Sequence, residues 1–165
     1  MIVRNMKKTD NLSLIADVYI ASFIETYKDF VPENILNEIN QEDWLRMVDN
    51  HKDFFVMLQR QEVIGTASIS EGIEDAGEIE SIYLNHDYVD QGYGRLLLNA
   101  MVKELSERGY ITAFLWDIKE NVRAKKFYEK NGFKASSETR TLDLGGHPIQ
   151  QIKYVLDINS DFVIR

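Results

Sequence analysis

Between Glu78 and Leu98 a strand candidate runs through a short loop into a helix opened by glycines at positions 92 and 94. Glu78 to Leu84 alternates well enough to be extended, and Gly94 to Arg108 places Leu97, Leu98, Met101 and Leu105 on one helical stripe, with Gly109 as its stop. A strand that feeds directly into an amphipathic helix needs a sheet to carry it and a helix layer to cover it. The expectation is therefore a mixed α/β fold.

The rest of the chain supplies the partners. Ile2 to Asn5 reads as a first strand, and Asp10 is placed to cap a helix that carries Leu14, Ile15, Val18, Ala21 and Phe23 toward a core. After Tyr27 the chain turns at Val31-Pro32, and a second helical stretch spans Ile35 to Val48. Phe54 to Gln59 and Glu62 to Ser70 read as strands joined tightly by Arg60-Gln61. Glu71 to Gly77 is a polar loop, Ala113 to Asp117 a strand, and Asn121 to Lys130 a helix that stops at Asn131-Gly132. Two last strands, Glu138 to Leu144 and Pro148 to Asp157, flank Gly145-Gly146, a strong hairpin signal. The order is β-α-α-β-β-β-α-β-α-β-β. With no repeat and no linker, residues 1–165 are expected to form a single domain.

Composition removes several chemistries. With no cysteine there is no disulfide, no thiolate zinc site and no cysteinyl acyl-enzyme. A net charge of -8, from 19 basic and 27 acidic residues, repels phosphate, so nucleic acid is not an expected partner. No apolar run is long enough to span a bilayer and the N-terminus lacks a signal-peptide pattern, so a cytoplasmic protein without membrane partners is expected. His51, His86 and His147 are too scattered for metal-ligand spacing, and no metal is expected. Neither a G-x-S-x-G elbow nor a Walker-type phosphate loop is present. The apolar helix stripes and closing strands leave a homodimer possible.

Glycines where a strand meets a helix let the backbone approach a ligand and turn several N–H groups into one concavity. The positive end of the helix dipole adds to it, which makes a site for a diphosphate. Taken alone, Gly92-x-Gly94 also fits a turn that merely needs small residues.

The wider segment Tyr83-Leu-Asn-His86-Asp-Tyr88-Val89-Asp90-Gln91-Gly92-Tyr93-Gly94-Arg95-Leu96-Leu97-Leu98 resembles the acetyl-CoA-binding signature of the GNAT superfamily of N-acetyltransferases. It aligns without gaps, and departs in two places: Val89 stands where the signature has Gln or Arg, and His86 where proline is frequent. Downstream, Asn121-Val-Arg-Ala124-Lys-Lys-Phe127-Tyr128-Glu-Lys-Asn131-Gly132-Phe133 is similar to the family's Asn-x-x-Ala-x-x-(Phe/Leu)-Tyr-x-x-x-Gly-Phe element. Seven residues advance a helix almost two turns, so Asn121 and Tyr128 share a face. Apart from any such role, Asn121 fits a plain N-cap and Tyr128 a half-buried core aromatic.

The resemblance implies a GNAT-like α/β fold, with a central mixed, mostly antiparallel sheet flanked by about four helices. It implies acetyl-CoA as co-substrate, its diphosphate on the amides of Asp90, Gln91, Gly92, Tyr93, Gly94 and Arg95, and its pantetheine arm along Ile82, Tyr83 and Leu84. Asn121 joins this cofactor-binding group. The implied reaction is direct attack of a neutral primary amine, from a small molecule or a peptide, on the thioester. The strand amide near Leu84 would hold the oxyanion, and Tyr128 would protonate the departing thiolate. Glu78, where one branch of the family keeps a glutamate base, is the first candidate base, Glu80 the second; Glu78, Glu80, Ile82 and Leu84 would share a strand face in the absence of a bulge. Phe23, Tyr27, Phe30 and Trp44, with residues near Gly145 to Ile149, would frame the acceptor, although Phe23 and Trp44 also fit a core. The alternative is a non-catalytic acyl-CoA-sensing module of the same fold.

Overall fold

The computed structural model describes residues 1–49 and 53–158. In chain order they form β1 (Ile2–Asn5), α1 (Leu12–Tyr27), α2 (Glu33–Leu36), α3 (Gln41–Asp49), β2 (Phe54–Gln59), β3 (Glu62–Ser70), β4 (Ala76–Leu84), α4 (Tyr93–Glu107), β5 (Thr112–Ile118), α5 (Val122–Lys130), β6 (Lys134–Leu144) and β7 (His147–Asp157). The strands lie in a seven-stranded sheet in the order β1-β2-β3-β4-β5-β7-β6. β4 and β5 pair in parallel, Ala76 to Glu78 against Thr112 to Phe114, while β1–β2, β2–β3, β5–β7 and β6–β7 are antiparallel. This is the expected mixed, mostly antiparallel sheet.

The described residues form five helices, where about four were expected. The stretch expected to run unbroken from Ile35 to Val48 is interrupted between Leu36 and Gln41, because Asn40 starts a helix of its own. Its Oδ1 accepts the Asp43 N–H at 3.1 Å, as an N-cap does.

The chain divides into two compact units, Met1–Ile69 with Ser81–Met101, and Ser70–Glu80 with Val102 onward. The first has a core of Ile15, Ala16, Tyr19, Trp44, Val48, Phe54, Val56 and Val63. Tyr19 sits at its centre, with ring centroids 6.0 Å from Trp44, 6.2 Å from Phe54 and 5.0 Å from Tyr83. That arrangement corrects the expected stripe of α1. Ile15, Ala16, Tyr19, Ser22 and Tyr27 are buried, whereas Leu14 and Ala21 are exposed. α1 is apolar around most of its circumference, so periodicity could not choose a face. The cap also moves by one residue: Asn11 accepts the Leu14 N–H at 3.1 Å, while Asp10 binds both terminal nitrogens of Arg4 at 2.8 Å and the Lys7 N–H at 2.7 Å. Arg60 and Gln61 turn β2 into β3 with φ of 49° and 71°, the left-handed backbone of a two-residue hairpin turn.

In the second unit β5 pairs along its whole length with β7, Thr112 with Asp157 through Ile118 with Gln151. Gly77 of β4 lies against α4 and the segment after it: a Cβ there would fall 2.5 Å from Leu105 Cδ2 and 3.0 Å from the Tyr110 ring. Leu97, Leu98, Met101 and Leu105 of α4 are all buried, and the helix ends as expected, with Gly109 at φ 91° and the Tyr110 N–H returning to the Leu105 carbonyl at 3.1 Å. Gly145 and Gly146, φ 58° and 83°, make the last hairpin turn. No helix among the described residues is long and apolar enough to cross a membrane.

Candidate active site

In the first unit, β4 ends at Leu84 and Asn85 caps a single 3-10 turn, His86–Tyr88, by accepting the Asp87 N–H at 3.1 Å. Asp90 at φ 61° and Gly92 at φ 87° then swing the backbone into α4. The first bond of that helix runs from the Leu96 N–H to the Gly92 carbonyl, 3.3 Å. Amides that precede it have no helical acceptor and lie at the positive end of the dipole. A Cβ on Gly92 would meet nothing within 4 Å, so the space beside this turn is open and the glycine serves the backbone conformation, not packing.

Two tyrosines fasten the turn to the β2–β3 hairpin. Tyr88 donates to Glu62 at 3.1 Å, Gln59 donates to the Tyr93 hydroxyl at 2.8 Å, and the two rings meet edge to face at 5.8 Å. Gln91 closes the loop from within, donating to the Asp87 carbonyl at 2.7 Å. Val89 keeps an extended backbone, with its N–H 3.2 Å from the His86 carbonyl. The slot that usually carries Gln or Arg thus keeps its place in the loop with no polar side chain.

Toward the end of β4, Tyr83 packs on α1, its ring 5.0 Å from Tyr19 and 6.0 Å from Phe23. Phe23 stacks on Tyr27 at 4.3 Å, so two of the four aromatics expected to frame the acceptor form one plate. Phe30 follows in the turn after α1, its N–H on the Tyr27 carbonyl at 2.9 Å. Trp44 is buried in the core. At the end of β4, Leu84 lies with Leu97 of α4 around Gly65.

The second unit holds the candidate acid and bases. Asn121 caps α5, accepting the Ala124 N–H at 3.1 Å, which makes the plain capping role real. Tyr128 is buried, its ring 5.3 Å from Tyr154 and 6.0 Å from Phe133. Its hydroxyl donates to the carboxylate of Asp117 on β5, which also accepts the Ile118 N–H at 2.6 Å and faces Asn121 Nδ2 at 3.5 Å. Asp117 keeps some exposed area as a residue, but its carboxyl is desolvated. Burial pushes it up to about 6, against those three hydrogen bonds. This carboxylate escaped the reading of the sequence, although a lone Asp inside Phe114-Leu115-Trp116-Asp117-Ile118 was a visible signal.

Glu78 is half-buried and Glu80 exposed. Burial raises the Glu78 carboxyl above the ordinary range; Arg140 and Lys153 pull it back, while Glu80 pushes the same way as burial. Arg140 lies 4.6 Å over the Trp116 ring and donates to Gln151 at 2.7 Å; Lys153 lies 4.6 Å over Phe114 and 3.2 Å from Glu138. These cations were also missed, because only the register of β5, β6 and β7 brings them together. His86 approaches Glu25 at 3.6 Å, and His51 lies outside the described residues. Among the described residues no cluster of His, Asp or Glu is arranged to hold a metal ion.

The first unit thus holds a glycine-turned helix start with open space beside it, and the second a helix-borne tyrosine on a strand carboxylate. The chain belongs to the acetyltransferase (GNAT) family, whose model matches residues 15–133. It is 29% identical over 130 residues to YuaI, an uncharacterized N-acetyltransferase of Bacillus subtilis, with 73% of this chain and 74% of that one covered. Among solved structures it resembles the PaiA N-acetyltransferase of Thermoplasma acidophilum in complex with coenzyme A, at TM-score 0.74 and 20% identity over 94% of this chain and 98% of that one. The ribosomal-protein-S18-alanine N-acetyltransferase of Escherichia coli gives 0.68 and 22%, over 95% and 93%. At such identities the structural likeness is one of fold.

Proposed function

We propose that this chain transfers the acetyl group of acetyl-CoA to a primary amine by direct attack. The observation that carries the reading is the open, left-handed turn at Asp90 and Gly92 ahead of α4. The amides of Asp90 to Arg95 would take the diphosphate, and the backbone of Ile82 to Leu84 would pair with the pantetheine arm as an added strand does. Holding both reactants removes an orientation cost that reaches roughly 7–11 kcal/mol.

The amine nitrogen then bonds to the carbonyl carbon and sheds its surplus proton to the base or to water, the oxyanion rests on the amide near Leu84, and the C–S bond breaks as Tyr128 gives its proton to sulfur. The ammonium form of the acceptor must first lose a proton. Glu78 is the first candidate for that task, directly or through water, because burial raises its carboxyl above the ordinary range, toward the basicity a general base needs near neutral pH. The acceptor would pass the Phe23–Tyr27 plate and Phe30. A peptide amine is one candidate, by analogy with the alanine named for the Escherichia coli relative.

The test is thiol release from acetyl-CoA in the presence of a panel of amino acids, polyamines and short peptides. Acceptor-dependent release, with an acetylated product seen by mass spectrometry, is expected. Acetyl-CoA binding with no acceptor-dependent release across the panel would instead favour a non-catalytic acyl-CoA-binding module.

A further inference from the structure

We propose that Asp117 is a positioning residue that decides which way the Tyr128 hydroxyl proton points. The inference rests on the reading of Tyr128 as the general acid. Tyr128 packs its ring against Phe133 and Tyr154, and its hydroxyl donates to the Asp117 carboxylate. That carboxylate is fixed from two further sides, by the Ile118 N–H at 2.6 Å and by Asn121 Nδ2 at 3.5 Å. Asn121 is itself fixed, since its Oδ1 caps α5 on the Ala124 N–H. The capping residue, the strand carboxylate and the tyrosine form one chain of contacts.

Chemistry follows from the direction of the last contact. While Asp117 is ionised, the only proton between the two oxygens belongs to Tyr128 and is spent on the carboxylate. Donating it to a departing thiolate would leave a phenolate beside a carboxylate, two like charges in a desolvated place. Once Asp117 carries a proton, its O–H donates to the Tyr128 oxygen, and the tyrosine proton is free for sulfur. Transfer then runs in balance: the attacking nitrogen sheds its surplus proton to the base or to water, the C–S bond breaks with its electron pair on sulfur, Tyr128 protonates it, and Tyr128 regains a proton from Asp117. Asp117 is left as the carboxylate, to be reprotonated from solvent before the next turnover. Burial holds the Asp117 carboxyl up near 6, so its protonated form is accessible close to neutrality. The groups acting on this carboxyl are the Ile118 N–H, Asn121 and Tyr128; from β7 Tyr154 faces it, and Asp117 with Glu129 of α5 helps burial raise the Tyr154 phenol.

Asp117→Asn supplies a permanent donor to Tyr128 and imitates the protonated acid. In the ratio of kcat for Asp117→Asn to kcat for the unaltered enzyme, ionisation of the amine acceptor cancels. That ratio is expected to rise about tenfold for each pH unit above about 6, and to be flat below it. In a Tyr128→Phe background the same substitution is expected to leave the ratio flat at every pH. A ratio that is flat in the presence of Tyr128, while Tyr128→Phe lowers kcat, overturns the role of Asp117 and leaves Tyr128 as the acid. If Tyr128→Phe leaves kcat unchanged, the reading of Tyr128 fails and this inference with it. Should Asp117→Asn not fold, tyrosine labelled with 13C at Cζ decides the matter in the unaltered protein saturated with CoA. The Tyr128 resonance is expected to shift with a midpoint near 6, and a resonance constant from pH 5 to 8 would overturn the proposal.

Discussion

Gly92 combines a conformational demand with open space. Its φ of 87° is one that a side chain resists, yet a Cβ there would touch no neighbour. Gly92→Ala should therefore leave the core intact and disturb only the turn, at a cost of about 1–2 kcal/mol. The expected outcome is a rise of about tenfold in KM for acetyl-CoA, read from steady-state kinetics at saturating acceptor. Two carboxylates give opposite signs in a second residue-scale test. Asp10 is lowered to about 2, first by its hydrogen bonds from Arg4, so what it adds to stability is present above its unfolded value and lost as pH falls toward 2. Asp117 is raised to about 6, so the folded state binds its proton more tightly, and its contribution shrinks as pH rises from about 4 through about 6. Urea unfolding at pH 4.5 and 7 should show a loss on going to pH 7 that is smaller in Asp117→Asn. An equal loss in both proteins would mean that Asp117 is not desolvated in solution.

At the scale of elements, the β2–β3 turn shows where local sequence and local structure disagree. Arg60 and Gln61 both adopt positive φ, with no glycine in the turn. Tertiary pairing of Phe54 to Gln59 with Glu62 to Ser70 outweighs the local preference. Gln61→Gly should raise stability by about 1 kcal/mol, seen as a higher urea midpoint at unchanged slope. The same hairpin carries Gln59 and Glu62, which hold Tyr93 and Tyr88 of the loop proposed to take the cofactor. Glu62→Ala should therefore weaken acetyl-CoA binding more than it lowers kcat, since it loosens the loop and touches none of the proposed reacting groups. Titration calorimetry with CoA would check the first part, and turnover at saturating acetyl-CoA the second.

For the molecule as a whole, a ligand that binds the folded state alone stabilises it by mass action, about 2.7 kcal/mol at a hundredfold excess over Kd. For a chain of 165 residues that corresponds to a rise in Tm of roughly 5–10 °C with acetyl-CoA, and none with NAD. Much of what this test addresses was legible in the linear order of residues. The strand-to-helix passage around Gly92, the hairpin turn at Gly145 and Gly146, and the helix that carries Asn121 and Tyr128 are properties of neighbours along the chain, and each appears in the structure where it was expected. Local patterns did not settle which face of α1 is buried or where the Ile35 to Val48 stretch breaks. An apolar helix has several possible inner faces, and only the partners Trp44, Phe54 and Tyr83 select the one through Tyr19. The same holds for the chemistry. Sequence alone determined the glycine turn and the tyrosine, because both lie in short-range motifs. Tertiary structure alone decided that Asp117 meets Tyr128, and that Arg140 and Lys153 lie over Trp116 and Phe114, because contacts between strands and helices depend on register and desolvation, which no run of neighbouring residues encodes.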